Sequence, residues 1–64
     1  MKAKDLVREL ARQGWKLERI KGSHHVFRHE KATRPVVVPL HGSDIPETWA
    51  KEILKQAARA LQED

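Results

Sequence analysis

Lys21-Gly22-Ser23-His24-His25-Val26-Phe27-Arg28-His29 is the segment from which the rest of this 64-residue chain can be read. Lys21-Gly22-Ser23 is a turn signal, because glycine supplies positive φ without steric cost. Residues 24–29 then read as a strand, in which successive side chains point to opposite faces. His25, Phe27 and His29 share one face, and His24, Val26 and Arg28 share the other. Phe27 is the only phenylalanine and the best core residue here. Its face is therefore expected against the body of the protein, with His24 and Arg28 on the opposite, open face.

Upstream of the turn, residues 15–21 alternate loosely. Trp15 and Leu17 hold one parity and Lys16 and Glu18 the other, as in a half-buried strand. Arg19 then falls on the apolar parity and Ile20 off it, which predicts a bulge or twist near that point. Before this strand, residues 2–13 carry Ala3, Leu6, Val7, Leu10 and Ala11 at three- and four-residue spacing, the pattern of an amphipathic helix. Gly14 is placed to stop it.

Downstream, residues 30–34 are a polar loop. Arg34 to Val38 reads as a third strand, ended by Pro39, which has no N–H to give a ladder. Leu40-His41-Gly42-Ser43-Asp44 is a loop, and Pro46 suits the first turn of a second helix. Trp49, Ile53, Leu54, Ala57, Ala60 and Leu61 are its expected buried stripe. The order is helix, three strands, helix. Short links make the strands an antiparallel meander. The predicted class is α+β, an α-β-β-β-α domain over residues 1–64 with a three-stranded antiparallel sheet and both helices on one face. The other sheet face is left to solvent or a partner.

Composition narrows the function classes. A domain of this size buries only about 60% of the surface its unfolded chain exposes, so the core is small. With no cysteine, disulfides and thiolate metal sites are excluded. No apolar run suits a signal peptide or reaches the ~18 residues of a membrane helix, so a cytoplasmic protein without membrane partners is expected. The net charge is +4 and unevenly spread. Residues 1–32 hold nine Lys/Arg against four Asp/Glu, and residues 33–64 hold four against five. Such a surface attracts polyanions, although a solvated, solubilising surface is the ordinary explanation of so modest a charge.

The histidines all lie between positions 24 and 41. Imidazole takes and gives protons near neutral pH. RNA carries its own nucleophile, the 2′-hydroxyl, so its cleavage needs only proton transfer and charge stabilisation at phosphate. His24 is the candidate acid–base group. Lys21, Arg19 and Arg28 are candidate phosphate contacts, joined by Ser23 and the turn amides at Gly22-Ser23. Taken alone, His24 also reads as an exposed turn histidine, and His25 and His29 read as edge or half-buried structural ones. His41 fits three roles: a hydrogen-bond partner at the helix start, a phosphate ligand or a second acid–base group. His25 and His29 have the spacing of half a zinc-finger site. On a strand that spacing sets them ~13 Å apart, and no cysteine pair completes it, so no metal or other cofactor is expected.

These pieces together resemble the HicA toxin family, the small ribonuclease half of bacterial or archaeal toxin–antitoxin pairs. The likeness rests on Gly14-Trp15, the Lys21-Gly22-Ser23-His24-His25 turn with Phe27 and His29, and Val36-Val37-Val38-Pro39. It continues through His41-Gly42, Ile45-Pro46 and Ile53-Leu54-Lys55-Gln56. Glu47-Thr48-Trp49 is less typical, Trp49 being bulkier than the pattern suggests. The resemblance implies a fold like that of double-stranded RNA-binding domains and metal-independent mRNA cleavage leading to arrest of translation and growth. It also implies a catalytic role for the histidine of the Gly-Ser-His turn, here His24, and inhibition by a HicB-type antitoxin that covers the active face. Two other readings fit the residues: a non-catalytic RNA-binding module of the same fold, and a protein-interaction domain whose open sheet adds to that of a partner.

Overall fold

The computed structural model describes residues 1–62. Its elements are α1 (Ala3–Arg12), β1 (Lys16–Lys21), β2 (His24–Arg28), β3 (Val36–Pro39) and α2 (Glu47–Gln62). The strands form one antiparallel sheet in the order β1-β2-β3, so β2 is central. The α+β architecture expected from the sequence is the one observed. Among the described residues no helix is long and apolar enough to cross a membrane.

The first helix ends as its sequence directs. Gly14 has φ +98°. Its N–H donates to the Ala11 carbonyl at 3.0 Å, and the Trp15 N–H donates to the Leu10 carbonyl at 3.0 Å. These two bonds are a Schellman motif, and the apolar contact that accompanies it joins Leu10 and Trp15, both buried in the core. The start of α1 has no side-chain cap. Instead, the Ala3 N–H donates to the Ser43 carbonyl at 2.8 Å and the Ile45 N–H to the Met1 carbonyl at 2.9 Å, which ties the loop before α2 to the first turn of α1 and to Met1.

The core lies between the helices and one sheet face. Leu6 and Leu10 of α1 meet Phe27, Val36 and Val38 of the sheet and Ala50, Ile53, Ala57 and Ala60 of α2. Three of the four α2 residues are alanines, which present little bulk between helix and sheet. The buried stripe of α2 therefore starts at Ala50. Trp49, expected within the stripe, is 50% exposed beside the outer edge of β3. Leu17 departs from expectation too. It pairs with Phe27 and so shares the helix-side face, yet it is 48% exposed. β1 is an edge strand exposed along its whole length, beyond the cover of the helices. Trp15 precedes the strand and is buried on its own account. Its indole Nε1 is buried with no hydrogen-bond partner among the described residues.

The expected irregularity in β1 is present. The register runs Leu17↔Phe27 and then Arg19↔Val26, leaving Glu18 as the extra residue of a β-bulge. The bulge resolves the parity conflict. It carries Ile20 to the helix side opposite His25, and sends Arg19 and Lys21 to the open face opposite Val26 and His24.

Candidate nucleic-acid interface and active site

The open face is assembled by the register. Directly paired residues of neighbouring strands share a face. His24 therefore lies between Lys21 on β1 and Pro39 on β3, and Val26 between Arg19 and Val37. Arg28 sits opposite Lys16. Four basic side chains thus share the face with one imidazole. Glu18, near them, accepts a hydrogen bond from Arg28 Nε at 3.2 Å. Lys16 was not singled out from the sequence. Its only signal was the pairing register, which places it beside Arg28.

The Gly22-Ser23 turn holds this end of the face. Gly22 has φ +62°, and no described residue other than glycine has positive φ, which matches a two-residue type II′ hairpin with glycine first. Ser23 is a junction. Its carbonyl accepts the Leu40 N–H at 2.8 Å, and the His25 Nδ1 lies 3.4 Å from the same oxygen. Its hydroxyl lies 3.3 Å from His41 Nε2. Residues 18 apart in sequence are thereby joined, and the loop carrying His41 is fastened to the turn carrying His24.

His24 is exposed, and its ring makes no hydrogen bond among the described residues. The candidates split into two groups by position. Lys21, Gly22, Ser23, His24 and His41 gather at one end of the sheet, with Arg19 two residues along β1 from Lys21. Arg28 shares the face but lies four strand residues from His24, ~13 Å along the strand, and is ion-paired. That separation is too great for both side chains to meet on one small anion.

The other histidines of the segment have different surroundings. His25 faces the helices and is half-buried. His29 Nε2 lies 2.9 Å from the Gln13 carbonyl, and its Nδ1 accepts the Lys31 N–H at 3.0 Å. Those partners fix the neutral Nε2–H tautomer and occupy both nitrogens. The ring also meets Trp15 edge-on, with centroids 5.3 Å apart. Among the described residues no group of three His, Cys, Asp or Glu side chains converges as metal ligands would.

The architecture and this face define a class: a small α-β-β-β-α domain with an exposed imidazole among cations on a bare sheet. The chain belongs to the HicA toxin family of bacterial toxin–antitoxin systems, whose family model matches residues 3–58. That span takes in α1, the whole sheet, the His41 loop and most of α2. No curated protein matches the chain significantly.

Proposed function

We propose that this toxin is a metal-independent endoribonuclease that cleaves mRNA and so arrests translation and growth. The observation that carries the reading is the exposed His24 imidazole, without a hydrogen-bond partner among the described residues, beside Lys21 on a basic open sheet. His24 acts as general acid–base group on the ribose 2′-hydroxyl, a role that typically contributes ~10²–10⁴-fold in rate. Lys21 and Arg19 hold the scissile phosphate and stabilise its growing charge. Ser23, Gly22 and His41 line the same end, and Arg28 holds the next phosphate along. Attack by the 2′-oxygen leaves a 2′,3′-cyclic phosphate and a 5′-hydroxyl.

The partner is a HicB-type antitoxin with an acidic surface that occupies this face and excludes RNA. Complementary potential favours such docking and speeds it. Analysis of the product ends from a long single-stranded RNA tests the chemistry. Cyclic phosphate with 5′-hydroxyl ends are expected. Ends with 3′-hydroxyl and 5′-phosphate would overturn the mechanism, and intact RNA in a stable complex would make the domain a binding module.

A further inference from the structure

Transphosphorylation needs two proton transfers. The base removes the 2′-oxygen's proton, and the electron pair left there forms the new bond to phosphorus. The bond from phosphorus to O5′ breaks, and O5′ leaves with that pair and takes up a proton. One imidazole is placed to serve the first transfer, and the second needs a donor on the other side of the phosphate.

We infer that His41 is that donor, the general acid for the 5′-leaving group, and that Ser23 orients it; this rests on the ribonuclease reading above. The Ser23 hydroxyl lies 3.3 Å from His41 Nε2, so the turn that presents His24 also holds the second ring. In the imidazolium form Nε2–H donates to Ser23 Oγ. Nδ1, which has no partner among the described residues, then carries the proton to be transferred. The backbone supports the placement. Pro39 is the cross-strand partner of His24, and His41 follows it by two residues. The loop carrying His41 is pinned at one end by the bond from the Leu40 N–H to the Ser23 carbonyl, 2.8 Å, and at the other by the bonds of Ser43 to Ala3 at the start of α1 and of Ile45 to Met1. Ile45 is itself buried in the core. An exposed histidine on a free loop would not be positioned well enough for proton transfer, whereas this one is fastened on both sides. His25 and His29 are not candidates. One faces the helices, and the other has both nitrogens occupied.

A leaving-group substitution tests the assignment. A short RNA is made with sulfur in place of O5′ at the mapped cleavage bond, because a thiolate departs without a proton. Single-turnover rates are measured on this substrate and on the ordinary one for the wild type, His41→Ala, His41→Gln, Ser23→Ala and His24→Ala. The inference expects both His41 variants to be slowed ~10²–10⁴-fold on the ordinary RNA and to approach the wild type on the sulfur substrate. His24→Ala should be slow on both. Ser23→Ala should lose less than His41→Ala and be restored by the same sulfur, which a mere loss of RNA affinity would not produce. His41 variants as fast as wild type on ordinary RNA would overturn the inference while leaving His24 in place. So would equal slowing on both substrates, which would make His41 an RNA-binding group. A wild type that cuts neither substrate would overturn the ribonuclease reading itself and this inference with it.

Discussion

The two ends of β2 carry the same side chain in opposite states. At the end of the strand that meets the Gly22 turn, His24 is exposed and its ring has no hydrogen-bond partner among the described residues. Just past the other end, His29 has both nitrogens engaged, by the Gln13 carbonyl and the Lys31 N–H, and its ring meets the Trp15 indole edge-on. A histidine whose nitrogens are both occupied, one of them by a carbonyl 16 residues away, is suited to joining elements together. A histidine with free nitrogens adds little to stability and remains available for proton transfer. Residue type alone does not separate the two; hydrogen-bond occupancy does.

The closed end should respond most strongly in stability. A Cβ at Gly14 would lie 2.7 Å from His29 Nε2, and the backbone there has positive φ. Gly14→Ala should cost about 1–2 kcal/mol from the backbone alone, with more from the displaced ring. That is a large share of the roughly 3–10 kcal/mol expected for a domain of this size. Urea denaturation measures it, and a double-mutant cycle with His29→Ala sharpens it. The Gly14→Ala penalty should shrink by at least ~0.5 kcal/mol when His29 is already gone. Full additivity would show that the two do not meet. His29→Ala alone should cost about 0.5–1.5 kcal/mol, because it removes the hydrogen bond to the half-buried Gln13 carbonyl, while the exposed Lys31 N–H turns to water. Its rate per folded molecule should stay near that of the wild type. A rate loss without a stability loss would collapse the distinction between the ends.

Smaller effects come from two carboxylates. Glu18→Gln frees Arg28 from its partner on the open face. Measured on the His24→Ala background, so that RNA stays intact, binding should tighten by no more than about 1 kcal/mol. The salt dependence of affinity should steepen by up to one phosphate contact. Weaker binding would show that the Glu18–Arg28 pair positions the arginine and does not merely mask it. At the closed end, Glu9 accepts hydrogen bonds from Arg12 and from Gln13 Nε2, and Gln13 carries the carbonyl that His29 bonds. The Arg12 hydrogen bond, then that of Gln13, lowers the Glu9 pKa from 4.5 to about 2. Because the folded value lies below the unfolded one, the stabilisation is present above about pH 4.5 and is lost as pH falls toward 2. Glu9→Gln should flatten that part of the stability curve and leave it unchanged at neutral pH apart from a constant offset. An unaltered acid limb would place the titration elsewhere.

Much of this organisation could be read from the residues. The parity break at Arg19 and Ile20 announced the bulge, and the bulge is what brings Arg19 and Lys21 onto the face with His24. Gly14 announced the helix stop, and Phe27 identified the buried face. What could not be read was how far the helices reach. Leu17 has the right parity for the core but lies on an uncovered edge strand, and Trp49 has helical spacing to Ile53 but falls outside the Ala50-Ile53-Ala57-Ala60 stripe. Coverage depends on where the helices dock, which periodicity does not encode. Nor could pattern reveal that His29 bonds a carbonyl 16 residues away, or that Ser23 meets His41 across 18. Those contacts separate a structural histidine from an available one, and they exist only once the sheet is paired.

The most direct test is cleavage of a long single-stranded RNA in excess EDTA by wild type, His24→Ala and His29→Ala, each rate corrected for the folded fraction. The account predicts that wild type and His29→Ala cut at similar rates per folded molecule. His24→Ala should keep its stability and lose at least ~10²-fold in rate. A folded His24→Ala variant that cuts as fast as wild type would contradict the account, as would a wild type that binds the RNA and leaves it whole.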